Sequence, residues 1–186
     1  MKILLASQSP RRKEILEKSG HRVMVCSPDF DEEQVCQRLP RQLVETLAAG
    51  KGKSIAPPPD TLLVAADTVV CLGDQILGKP ADADAAFATL SALSGRSHSV
   101  FTGVYLRYND EERVFYDETK VFFRSLSKEE ILRYIAGGSP FDKAGSYGIQ
   151  DSDFTERIEG SYTNVMGFPA ERFEEEAKIL MQRGAK

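Results

Sequence analysis

The chain has 186 residues, 41% hydrophobic and 28% charged, which fits one globular domain over residues 1–186 with a core of its own, folded as two lobes around a cleft. A formal net charge of −4 argues against a nucleic-acid partner but leaves room for a local basic pocket, because net charge and site charge are separate quantities. Three cysteines (Cys26, Cys36, Cys71) give neither a disulfide framework nor a zinc knuckle, and two histidines (His21, His98) exclude a histidine-rich centre, so any metal would be held by carboxylates and phosphates, as Mg²⁺ or Mn²⁺ is.

Lys2–Ala6 reads as a short buried strand. Its apolar run is too short for the hydrophobic part of a signal peptide, and no stretch is long and apolar enough to span a membrane. The cytoplasm is therefore the expected location. Ser9 suits an N-cap and Pro10 a first helical position, and Gly20 ends that helix. Arg22–Cys26 alternates weakly as a second strand, followed by an acidic loop at 29–33. Residues 40–55 carry Leu43, Leu47 and Ala48 on one helical face, and Pro57-Pro58-Pro59 closes it. Gly50 and Gly52 lie inside this helix. Each costs about 1 kcal/mol against alanine, so the helix is expected to fray around Lys51.

Leu62–Leu72 is a strongly apolar run broken only by Asp67 and Thr68, and Gly73-Asp74-Gln75 turns it toward Ile76 and Leu77. Asp82 caps a helix over Ala83–Leu93. Residues 99–108 and 113–124 read as two strands joined by a polar turn. Ser127-Lys128-Glu129-Glu130 is a capping box for a helix ending near Gly137. Pro169 opens a final amphipathic helix to about Met181. Early alternation of strands and helices, then a long hairpin, points to an α/β or α+β fold with a mixed sheet.

Four segments carry candidate chemistry. In Ser7-Gln8-Ser9-Pro10-Arg11-Arg12 a strand turns into a helix N-terminus bearing two arginines. Free N–H groups, hydroxyls and guanidinium groups at such a place converge on an anion, although a capped surface helix with solvated arginines has the same pattern. Asp67 is a carboxylate inside an apolar strand, costly unless paired, hydrogen-bonded or on a metal. The alternative is an aspartate bonded to backbone at a bend. Lys79, between Gly78 and Pro80, suits a phosphate as well as it suits solvent, and Asp31, Glu32 and Glu33 in the acidic loop suit a metal, although such a loop is usually just solvated. Residues 142–150 include small residues that let backbone approach a ligand, and Gln150 has both donor and acceptor for a base edge; a plain glycine-containing loop is the other reading. Gly52-Lys53-Ser54 imitates the end of a phosphate-binding P-loop, but the position that needs glycine holds Leu47 and the preceding segment is helical. The run Leu47-Ala48-Ala49-Gly50-Lys51-Gly52-Lys53 likewise imitates a nucleotidyltransferase signature, which belongs after a first strand and not at the end of a helix.

Taken in order, Leu5 to Arg12, Leu47 to Lys51, Ala66 to Val70, Leu77 to Pro80, Ser94-Gly95-Arg96-Ser97-His98 with Thr102-Gly103-Val104, Asp142 to Gln150 and Gly160 to Pro169 make the chain similar to the Maf-like nucleoside triphosphate pyrophosphatases. The resemblance implies an α/β fold of the inosine-triphosphatase type: a mixed twisted sheet with flanking helices, in two lobes around a cleft. It implies hydrolysis of a nucleoside triphosphate to monophosphate and pyrophosphate with a divalent cation, Mg²⁺ or Mn²⁺. By carry-over, Asp67 is the catalytic acid/base. Ser7, Arg12, Lys51 and Lys79 would hold phosphates, and Glu32 with Asp67 would meet the metal. Arg11, Thr68 and Gln150 match the residues of the dTTP/UTP branch at the positions that choose the base. No nucleic-acid or membrane partner is implied, and a homodimer is compatible with the resemblance. The competing reading is a nucleotide-binding regulator of cell division that binds without significant turnover.

Overall fold

The computed structural model describes residues 1–138 and 140–184. Seven strands, β1 (Lys2–Ala6), β2 (Arg22–Cys26), β3 (Leu62–Leu72), β4 (Gln75–Leu77), β5 (Ser97–Tyr108), β6 (Glu111–Phe123) and β7 (Thr155–Glu159), form one mixed sheet. Its order is β2-β1-β3-β5-β6-β7, with β4 paired to β3. The helices are α1 (Pro10–Lys18), α2 (Pro40–Lys53), α3 (Ala83–Leu93), α4 (Lys128–Ala136), α5 (Tyr162–Met166) and α6 (Ala170–Gly184). The mixed α/β architecture expected from the sequence is the one observed.

β1 runs parallel to both its neighbours, with Ala6 opposite Cys26 on β2 and Ala65 on β3. The β1–α1–β2 crossover explains that parallel pair, because a strand can return beside its predecessor in the same direction only through such a connection. β3 continues past the end of β1 through Ala66, Asp67 and Thr68, then turns at Gly73-Asp74 into the antiparallel β4. The β3 pattern is buried throughout except at Asp67 and Thr68.

The chain divides into two compact units. The first contains Met1–Thr68, Thr102–Asp117 and the chain from Gly167 on. Its core includes Ala6, Ala48, Leu63, Ala65 and Tyr105, with Ile55 and Cys26 packed on it. The second contains Val69–Phe101 and Glu118–Met166. There Leu90, Leu93, Val121, Ile131 and an aromatic group of Phe123, Tyr147 and Phe154 are buried together.

Local signals hold at most helix starts. Asp82 accepts from Ala85 N at 2.8 Å, and Ser127 with Glu130 completes the capping box of α4. Ser9 does not cap α1 through its side chain; its own N–H donates to Ser7 Oγ at 3.2 Å instead. The expected fraying of α2 does not occur, because the helix runs unbroken through Gly50 and Gly52 to Lys53. A Cβ at Gly52 would lie 2.1 Å from the Tyr105 ring, and one at Gly50 would lie 2.3 Å from the Phe30 ring. The glycines let two aromatic rings seat directly on the helix, and that packing offsets their propensity cost. β7 and α5 are elements the sequence pattern does not announce. Among the described residues no helix is long and apolar enough to cross a membrane.

Candidate active site

Chain geometry alone brings the first segment to β3. Ala6 pairs with Ala65, so Ser7 leaves β1 where β3 goes on to Ala66, Asp67 and Thr68. This is the carboxyl end of adjacent parallel strands, where α/β sheets hold their ligands. α1 starts at Pro10 and places Arg12 on its first turn.

Arg12 ties these pieces together. Its Nη1 donates to Ser7 Oγ at 3.1 Å and to Ala66 O at 2.8 Å; its Nε donates to Gly167 O at 2.9 Å; its Nη2 donates to Thr68 Oγ1 at 3.1 Å. A guanidinium has five N–H groups in a fixed fork, so one Nη2 hydrogen is left. Thr68 Oγ1 also lies 2.9 Å from Thr102 Oγ1 and donates to Gly167 O at 3.3 Å. None of these partners neutralises the Arg12 charge. Burial lowers its proton affinity; the Asp67 and Glu32 charges oppose this and the Arg11 charge adds to it. An arginine stays protonated in any case, so the effect is a cost of burying charge that a bound anion would relieve.

A second cluster sits on the next residue of β3. Lys51, buried on α2, donates from Nζ to Asp67 Oδ1 at 2.6 Å and pairs with Glu32 Oε1 at 2.9 Å. The Lys51 and Asp67 side chains are only 11% and 14% exposed, against 55% for Glu32, so the Lys51–Asp67 pair is the sheltered one. Asp67 Oδ2 makes no hydrogen bond to the described residues. The carboxylate is thus held by one oxygen, with the other open.

The two carboxylates meet on a single ammonium, so both are within reach of one small cation, and their hard oxygen donors are those Mg²⁺ or Mn²⁺ takes. Among the described residues no group of three or more His, Cys, Asp or Glu side chains surrounds a common point. A cation here would complete its shell with water and substrate phosphate oxygens.

Of the sequence-derived candidates, the structure brings Ser7, Arg12 and Thr68 into one network and Glu32, Lys51 and Asp67 into another, both in the first unit. Arg11 is half-buried beside Arg12. Lys79 and Gln150 belong to the second unit, and both are exposed. Lys79 follows Gly78, whose carbonyl accepts from Gly145 N at 3.2 Å. The sequence did not single out the Ala66 and Gly167 carbonyls or the Thr102 hydroxyl. Gly167, at φ +114°, adopts a backbone that favours glycine, which was the one available sign of its role.

Comparison with known proteins identifies the family of the chain. A family model described as "Maf-like protein" matches residues 2–179. Relatives named dTTP/UTP pyrophosphatase include one from Geobacillus sp. (strain WCH70), 45% identical over 96% of this chain and 97% of its own. Another, from Chromobacterium violaceum, is 46% identical over 98% of this chain and 95% of its own. A third, from Thermosipho africanus, is 45% identical over 99% and 94%. Among solved structures, a HAM1 protein from Coxiella burnetii has the same fold at 14% identity, with a TM-score of 0.50 over 98% of this chain and 99% of that one. The arginine cradle and the lysine-held aspartate lie on segments inside the matched span, and the match covers nearly the whole chain: it belongs to the Maf-like protein family.

Proposed function

We propose that this protein is a nucleoside triphosphate pyrophosphatase acting on dTTP and UTP, releasing the monophosphate and pyrophosphate. The observation that carries the reading is Asp67: a half-buried carboxylate with Oδ1 on Lys51 and Oδ2 open, one residue from the Arg12 cradle. The names of the 41–46% identical relatives support the same activity.

In this reading Asp67 Oδ2 accepts a proton from water. The water oxygen forms a bond to the α-phosphorus, and the bond from that phosphorus to the bridging oxygen breaks. The electron pair leaves with pyrophosphate, whose growing negative charge needs cations near it. Arg12 has one uncommitted N–H and no ion-pair partner among the described residues, with Ser7 beside it, and Lys79 is assigned the same task. Lys51 keeps Asp67 oriented through Oδ1, and can follow the phosphates as they enter. A divalent cation held by Asp67 and Glu32 would supply charge neutralisation on the phosphate oxygens. Arg11, Thr68 and Gln150 are assigned the choice of base, with Thr68 held in place by Arg12, Thr102 and the Gly167 carbonyl.

The test is incubation with individual triphosphates and Mg²⁺ or Mn²⁺, with products identified. UTP and dTTP should give monophosphate plus pyrophosphate. Asp67→Asn, with its fold intact, should turn over at least ~100-fold more slowly, the lower range for losing a general base. Tight nucleotide binding with no product from the parent protein would favour the regulator reading instead.

A further inference from the structure

Gln150 is exposed on a turn, and among the described residues no side-chain bond holds it in place. The segment before it is held with unusual strictness. Gly145 and Ser146 are successive left-handed residues, at φ +72° and +64°, and Ser146 is fully buried. A non-glycine residue in that conformation costs about 1 kcal/mol or more and persists only where its surroundings over-determine it.

The surroundings are specific. Tyr147 Oη lies 2.7 Å from His98 Nε2, and both residues are buried. The two rings and Phe123 pack edge to face in a closed triangle, with centroids 4.7, 4.9 and 5.3 Å apart. One residue further on, Gly148 N donates to Tyr134 Oη at 3.0 Å. At the other end Gly145 N donates to the carbonyl of Gly78, next to Lys79. The His98–Tyr147 bond is therefore the buried fixed point of the stretch that carries Gln150. The opposite ring nitrogen, His98 Nδ1, is buried with no partner among the described residues. An arrangement that leaves a polar atom unpaired is costly for stability alone, and this favours a requirement on where Tyr147 is held.

We propose that His98 and Tyr147 are a positioning pair that sets where Gln150 meets the base, and so governs the preference for pyrimidine over purine triphosphates. This rests on the reading that Gln150 contacts the base. Neither residue touches substrate. His98 sits on β5 and Tyr147 on the segment it braces, so the pair transmits the rigidity of the sheet to the turn.

Tyr147→Phe removes one oxygen and leaves the ring packing. The variant should raise KM for UTP about tenfold with kcat within about twofold, and lower the UTP-over-GTP ratio of kcat/KM about tenfold, the net scale of one ordinary hydrogen bond. Gln150→Ala should do the same, and the double variant should be no worse than Gln150→Ala alone, since both act on one contact. His98→Phe should match Tyr147→Phe, while His98→Gln, which can still reach Tyr147 Oη, should recover part of the ratio. An unchanged ratio in Tyr147→Phe beside a lost one in Gln150→Ala overturns the proposal, and so do additive effects. Were Tyr147→Phe to misfold, the His98→Phe and His98→Gln pair carries the same comparison. If the parent protein cleaves no triphosphate, the enzymatic reading fails by itself; binding of non-hydrolysable UTP and GTP analogues to the same variants then decides the positioning role, with loss of discrimination in Tyr147→Phe supporting it and equal discrimination overturning it.

Discussion

Arg12 satisfies four acceptors with one side chain, two of them the Ala66 and Gly167 carbonyls, and this is a task for a planar fork. A lysine at this position keeps the charge but has a single nitrogen, which cannot reach acceptors spread around a guanidinium. Arg12→Lys would leave at least one sheltered carbonyl and the Thr68 hydroxyl without their donor. Each such group costs about 1–3 kcal/mol when it is stranded away from water. We expect Arg12→Lys to lose about 2 kcal/mol of stability in urea titration and to lower kcat/KM for UTP by more than tenfold. A charge-only role for Arg12 predicts neither loss, so retained stability together with retained activity would contradict the bonding described above. The residue types at this site were legible in the sequence: Ser7, Arg12 and Asp67 stand out because an arginine at a helix start and an aspartate in an apolar strand both need a reason. The carbonyls they work with were not legible, since a backbone oxygen leaves no trace in residue type. Nor was the attachment of Lys51 Nζ to Asp67 and Glu32, because α2 and β3 meet through tertiary packing that no local spacing encodes.

At the scale of elements, close approach to α2 decides what glycine can become. Gly103 on β5 faces the α2 backbone, and a Cβ there would lie 2.2 Å from Val44 O. Gly52 would instead meet the Tyr105 ring, which is fully buried, and Gly50 the half-buried Phe30 ring. Backbone cannot yield, a core ring yields with strain, and a ring near the surface can swing away. The expected order of destabilisation is therefore Gly103→Ala, then Gly52→Ala, then Gly50→Ala. The first should exceed about 3 kcal/mol, beyond the usual overpacking range, while Gly50→Ala should come near zero, because about 1 kcal/mol of helix propensity offsets the displaced ring. Urea midpoints of the three variants measure that order, and equal losses would refute it. The same contacts explain what the sequence could and could not reveal about the fold. Caps at Asp82 and Ser127 and the apolar β3 run are local features, and they gave the right elements. The glycines of α2 were misjudged as a source of fraying because their partners, Phe30 and Tyr105, are remote along the chain. β7 has one clear apolar position, Ile158, in five residues, and α5 is shorter than two helical turns, so neither shows a period to detect.

At the scale of the whole molecule, His98 and Glu130 give the response to acid two separate windows. Burial pushes the His98 imidazole down to about 4 from its ordinary 6.5, with no charged neighbour contributing. An unfolded His98 takes up its proton near pH 6.5, and the folded one resists until about pH 4, so between those values the unfolded chain binds more protons. Stability is then complete above about pH 6.5 and falls as the pH drops toward 4; the gap corresponds to about 3 kcal/mol at most. Glu130 acts in a lower window. Its bond to Arg124, reinforced by Ser127, holds the carboxyl down at about 2 from 4.5, so its contribution is present above pH 4.5 and is lost as the pH falls through 2. The two windows barely overlap, which makes the upper one assignable. Urea midpoints should decline steadily from pH 7 to pH 4 in the parent protein. In His98→Gln, which cannot titrate, the decline over that range should flatten while the fall below pH 4 remains. A parent curve that is level between pH 7 and 4, or a His98→Gln curve as steep as the parent's, would place the acid sensitivity elsewhere. The result also bears on activity, because protonating His98 puts a charge into the buried pair that fixes the Gln150 segment: discrimination between UTP and GTP should weaken near pH 4.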